Sequence, residues 1–173
     1  MNEEKITQET TTPPVEEQLI TQEQALMEIK NGEVKAEKLL KDEDKLHKLL
    51  LDAEKVLKSF PERVANGIKV LKLKRIPTAE ELGDIFSKFA TFIDLIRSYV
   101  KGEYKEVPVG TIISIISVII YVVSPIDLIP DITPIVGLLD DIIIIGALLT
   151  CGGINYDLEK YIAWRNAKEA ITE

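Results

Sequence analysis

Between Lys105 and Lys160 the chain contains no lysine or arginine. Within that span, Val107 to Ile154 carries only four formal charges, Asp127, Asp131, Asp140 and Asp141. A run this apolar has to leave water, either inside a bundle or in a bilayer. The flanking sequence is too highly charged to take its place. The run is therefore read as the centre of the molecule, and the other segments as its cover.

The cover is predicted to be helical. Residues 1–24, rich in Thr, Glu and Gln with Pro13 and Pro14, show no sustained apolar period and read as a disordered tail. Residues 25–106 read as charged amphipathic helices. A short helix from about Gln22 to Glu33, with a stripe of Ala25, Leu26 and Ile29, is expected to end at Asn31 and Gly32. A better helix follows between Val34 and Phe60, with Leu46, Leu49, Leu50, Ala53, Val56, Leu57 and Phe60 at spacings of three and four. Pro61 reads as a boundary, and Glu62 to Ile76 as a further helix. Thr78 and Glu81 have the spacing of a capping box, ahead of a stripe from Leu82 to Val100 that Gly102 closes. Residues 107–154 read as an apolar helical hairpin. Residues 155–173 read as a C-terminal amphipathic helix capped by Asn155. The fold class expected is all-α, a helical bundle around a central apolar hairpin, with insertion of that hairpin into a bilayer as the alternative.

The turn of the hairpin holds the densest pattern in the chain. Ser124, Pro125, Asp127, Pro130 and Asp131 are followed by Pro134, Gly137, Asp140 and Asp141. Ser124 with Pro125 has the form of a helix start, and Thr133 with Pro134 repeats it. Asp140 and Asp141 would then sit early in the second apolar helix, near the positive end of its dipole. Gly137 would allow a close approach or an unusual backbone angle. The same carboxylates could instead gather a hard cation such as Mg²⁺, Mn²⁺ or Ca²⁺, which take oxygen ligands. A paired-carboxylate acid/base site is the third reading.

This pattern, SPIDLIPD followed by the proline, the glycine and the aspartate pair, resembles the signature of the YkvA-like family. That family is a small domain of unknown function found in bacteria, archaea and plants. The resemblance implies a compact helical unit that touches or enters membranes. It implies no reaction, ligand or cofactor.

The net charge of −8 argues against general nucleic-acid binding, which needs a basic face for phosphates. One local reversal stands out. Lys55, Lys58, Arg63, Lys69, Lys72, Lys74 and Arg75 face a single acid, Glu62, across that stretch. Lys69, Lys72, Lys74 and Arg75 are the candidate contacts for anionic lipid headgroups. His47 is the only histidine and Cys151 the only cysteine, which leaves no His-rich zinc site and no intrachain disulfide. No nucleophile elbow, phosphate loop or dinucleotide fingerprint is present, so no enzyme is expected and no cofactor is implied.

Two functional readings remain. The first is a non-enzymatic membrane-associated protein, attached or integral, on the cytoplasmic side. The N-terminal residues lack the basic and apolar regions of a cleavable secretory signal. The second is a soluble cytoplasmic module that binds a protein partner, a copy of itself or a divalent cation through the aspartates. Val107 to Ile126 is twenty residues without a charge, the length of a bilayer span. The second apolar helix would carry Asp140 and Asp141 into lipid, at about 2.5–3.5 kcal/mol each near the centre.

Capping and cation binding differ in a melting experiment. With capping, Mg²⁺, Mn²⁺ and Ca²⁺ leave the thermal midpoint unchanged, and Asp127→Asn is mild because asparagine also caps. A saturable rise in midpoint that Asp127→Asn abolishes would replace capping by an ion site.

Overall fold

The computed structural model describes residues 19–70, 78–124 and 134–172, and for residues 63–70, 79 and 134–136 the backbone alone. Among the described residues there are six helices and no strand, which is the all-α bundle expected. They are α1 (Gln22–Leu40), α2 (Glu43–Val70), α3 (Ala79–Val100), α4 (Val109–Val123), α5 (Pro134–Thr150) and α6 (Ile154–Thr172).

α4 is the central helix. Ile112, Ile115, Ile116, Val118, Ile119, Ile120 and Val122 are all buried, and Ile113, Tyr121 and Val123 are half-buried, so no side of it carries a charge. A helix apolar all round must be enclosed on all sides, and α1, α2, α3 and α5 all pack against it. α2 contributes Leu46, Leu50 and Ala53 to the core, and α3 contributes Phe89, Phe92, Leu95 and Ile96. α6 packs on α3 and α5, and adds Leu158 and Tyr161.

The most extensive packing in the bundle is that of α1 along α4. This helix begins at Gln22, where the short helix is expected to start. Thr21 caps it: Thr21 Oγ1 accepts from the Gln24 N–H at 3.2 Å, and Gln24 Oε1 accepts from the Thr21 N–H at 2.8 Å. Residues 1–18 lie outside the described residues. Nor does α1 stop at Asn31 and Gly32; it runs on to Leu40. A glycine inside a helix costs about 1 kcal/mol relative to alanine. Here the loss is offset by close approach. A Cβ at Gly32 would collide with Ser117 Oγ of α4, and that hydroxyl donates to the Ile29 carbonyl at 2.5 Å. Ala25, Ile29, Gly32 and Ala36 form the row that α4 meets. Only Ile29 among them is large, which is why a count of apolar residues undervalues this helix.

Three further boundaries differ from expectation. The helix expected from Val34 to Phe60 is broken after Leu40, so Val34 falls in α1 and the leucine stripe in α2, from Glu43. Pro61 lies inside α2, not between two helices. Its ring removes one backbone hydrogen bond, but Phe60 beside it is buried and packs on Phe86 of α3, ring centroids 5.6 Å apart. Tertiary packing on this side outweighs the lost bond. Asn155 lies within α6, where its amide donates to Glu159 at 3.0 Å. The turn into α6 is made by Gly153, at φ +89, whose carbonyl accepts from the Asp157 N–H. The capping box at Thr78 and Glu81 is present as its spacing predicts.

No single helix among the described residues is long and apolar enough to cross a membrane. The twenty-residue uncharged run is cut by Pro108 at one end and Ser124 at the other. The fifteen residues of α4 are about 22 Å long, short of the roughly 30 Å of a hydrocarbon core. One bent pair, Gly137–Thr150 with Ile154–Thr172, meets the length and composition of a broken span, with an 88° bend.

The contact of α1 with α4 yields a double-mutant test. Gly32→Ala gains helix propensity but overpacks the crossing, so a net loss of about 1–2 kcal/mol is expected in urea unfolding. In a Ser117→Ala background the worst collision is gone, and the same change should cost about 1 kcal/mol less. Additive losses would mean that the helices do not meet at this pair.

Candidate functional site

The described part of the signature lies where α4 ends and α5 passes it. Ser124 terminates α4 in an extended conformation, its N–H donating to the Ile120 carbonyl at 2.9 Å. Pro125, Asp127, Pro130 and Asp131 lie outside the described residues, and so does any helix start at Ser124. Pro134 opens α5. Gly137 has neither a positive φ nor a close neighbour, since a Cβ there would meet open space. It is thus no close-approach glycine.

Asp140 and Asp141 lie nearly two turns inside α5, not in its first turn. The helix dipole acts mainly within the first turn, so it does not account for them. Successive helical residues point about 100° apart, and the two carboxylates go different ways. Asp141 is directed into the bundle and is only 7% exposed. Asp140 is half-buried and accepts at Oδ1 from the Ile20 N–H at 3.0 Å. Burial pushes the Asp140 carboxyl above its ordinary range, and the Ile20 N–H partly opposes that. Gln22 reaches the far end of the same helix, its amide donating to Thr150 Oγ1 at 3.2 Å. The entry to α1 is thereby tied to the middle and to the C-terminal end of α5.

Tyr121, one turn before Ser124, completes the site from α4. Its phenol is pushed up to about 12, first by burial and then by the charges of Asp140, Asp141 and Glu28. It stays protonated at physiological pH. The structure therefore bonds Asp140 to the Ile20 N–H ahead of α1 and sets the aspartate pair and Glu28 close enough to the Tyr121 phenol to act on it. Tyr121 had a signal, as the lone aromatic residue in α4. Ile20 acts through its backbone, which no side-chain pattern reveals.

Among the described residues no group of three or more His, Cys, Asp or Glu could hold a metal ion. Asp127 and Asp131, which the cation reading also needs, lie outside them. Cys151 is half-buried, and burial raises its thiol, so it is not set up as a nucleophile. His47 is exposed on α2. Of the basic stretch, Lys55 and Lys58 are exposed, and Lys55 pairs with Asp52 at 2.9 Å. The Lys69 side chain and Lys72, Lys74 and Arg75 lie outside the described residues.

Asp140 gives a pH-dependent expectation. A carboxyl whose folded pKa lies above its unfolded value contributes most to stability below about pH 4, and that contribution is lost as pH rises through the folded pKa. Asp140→Asn keeps an acceptor for Ile20 and carries no charge. Its stability should gain on the wild type as pH rises from about 4 to neutrality. Asp140→Ala removes the acceptor and should cost about 1–3 kcal/mol at neutral pH. Equal losses in both variants by urea unfolding would show that the acceptor is unimportant.

A family described as a protein of unknown function (DUF1232) matches residues 111–147, from the first turn of α4 nearly to the end of α5. The uncharacterized membrane protein YkvA of Bacillus subtilis (strain 168) is 33% identical over 75 residues, covering 43% of this chain and 69% of that protein. No solved structure matches. At 33% identity and with 69% of that relative covered, the chain belongs to the YkvA-like family.

Proposed function

We propose that this chain is a non-enzymatic helical protein that associates with a membrane on its cytoplasmic side. The observation that carries the reading is the match to a relative whose printed name is that of a membrane protein. The apolar content of the matched segment supports it, because α4 and α5 together contain no basic residue. The basic stretch from Lys55 to Arg75 supports the cytoplasmic side. Anionic lipids of that leaflet attract such segments by about 1 kcal/mol per residue near the surface. Nothing among the described residues favours the cation-binding alternative, since Asp140 and Asp141 diverge.

Fractionation of native cells tests the reading. The protein should pellet with membranes, and salt or carbonate should release at least part of it if attachment is peripheral. Protein found wholly in the supernatant at low salt would sink the proposal. Replacing Lys69, Lys72, Lys74 and Arg75 by glutamine should weaken binding to anionic vesicles at low salt and leave the thermal midpoint unchanged. Unaltered binding would remove the basic stretch from the contact.

A further inference from the structure

α5 is amphipathic in the reverse of the usual sense. A surface helix normally turns its charges to water and its apolar stripe to the core. α2, α3 and α6 do so, with Lys48 and Lys58, Glu80 and Asp84, and Glu159 and Lys160 exposed. In α5 the only two charges are Asp140 and Asp141. Asp141 points into the bundle and Asp140 is turned to the Ile20 N–H. The outward arc holds Leu139, Ile142, Ile143, Gly146 and Leu149, half-buried and without a charge. These five fall within roughly 120° of the helix circumference and extend about 15 Å along it. Gly146 sits at the middle of the arc, and a Cβ added there would meet nothing within 4 Å. Among the described residues no side chain lies within 4 Å of that point.

We infer that this face of α5 is the surface that docks on the bilayer, at the boundary between headgroups and acyl chains. The inference rests on the membrane reading above and names its contact. Charge is the reason for choosing lipid as the occupant. A chain of net charge −8 keeps every formal charge of α5 off this one face, an arrangement that costs free energy in water and suits an acyl boundary. The face also lies almost wholly in the segment, residues 111–147, that defines the family. Contact through such a face does not depend on salt, unlike contact through the lysines and Arg75.

Gly146 allows a test that spares the fold. Gly146→Glu places a carboxylate in open space and improves helix propensity, so the melting temperature should hold or rise. The full chain is mixed with phosphatidylcholine vesicles, with and without phosphatidylglycerol, in about 1 M salt, where the Debye length is about 3 Å. The wild type should pellet with both, and Gly146→Glu should bind about tenfold or more weakly. Gly146→Leu should bind as well as the wild type or better. A Gly146→Glu protein that binds like the wild type overturns the docking face and leaves membrane association standing. A Gly146→Leu protein as defective as Gly146→Glu overturns it too, because bulk and not charge would then be at fault. A wild type that binds no vesicle at low or high salt overturns the membrane reading itself. A wild-type dimer that Gly146→Glu splits, with vesicles pelleting neither, would show that a second copy covers the face.

Discussion

The bundle depends on the crossing of α1 and α4, where a missing side chain and a buried hydroxyl fit each other. Gly32 leaves the space that Ser117 fills, and Ser117 Oγ uses that space to reach the Ile29 carbonyl. Neither residue explains itself alone. A mid-helix glycine weakens α1, and an unbonded hydroxyl at the centre of an apolar bundle would cost free energy. Together they fix the register of α1 along α4. That register carries Ile20 to Asp140, Gln22 to Thr150 and Glu33 to Ser114. A shift of α1 by one turn would break all three links as well as the crossing.

Register matters here because α4 is otherwise featureless. A helix of isoleucine and valine packs almost equally well at several rotations, since dispersion and burial are non-directional. Its hydroxyls remove that freedom. Thr111 donates to Asp157 of α6 at 2.7 Å, Ser114 to Glu33 and Ser117 to Ile29 of α1. At the other side of the molecule, α3 and α6 are joined in a similar way. Tyr161 donates to Asp94 at 2.7 Å, Arg165 pairs with the same carboxylate at 3.0 Å, and Ser98 shares the Tyr161 hydroxyl. Burial and the Asp94 charge push the Tyr161 phenol up to about 12, so it remains a donor. Among the described residues no buried side-chain nitrogen or oxygen lacks a partner.

The sequence showed the all-α class, the central hairpin and the helix start at Thr78 because these rest on strong local signals. Periodicity, a charge-free run and a capping box each act within one element. What it hid is tertiary. α1 was underrated because its contact row is made of alanine and glycine, which register as weak helix signals but permit the closest approach. Pro61 looked like a stop because the compensating contact, Phe60 on Phe86, comes from another helix. The placement of Asp140 and Asp141 was misjudged for a different reason. Their spacing from Pro134 can be read off the chain, but only the fold shows that Asp141 turns inward and that the Asp140 acceptor is used by a backbone amide 120 residues away.

The family segment is not a self-contained unit. Residues 111–147 span α4 and most of α5, yet the hydroxyls of α4 are bonded to α1 and α6, and Asp140 to the residue before Thr21. The hairpin alone would leave these groups without partners and most of α4 uncovered. The charged helices outside the segment therefore complete it, which is why so polar a sequence surrounds so apolar a centre. α5 alone keeps an uncharged outward face after that completion. α1, α2, α3, α4 and α6 all pack against α5, whose buried side holds Asp141, Ile144 and Leu148. Four helices thus enclose α4, and one of them, α5, the other arm of the hairpin, keeps an uncharged side turned outward.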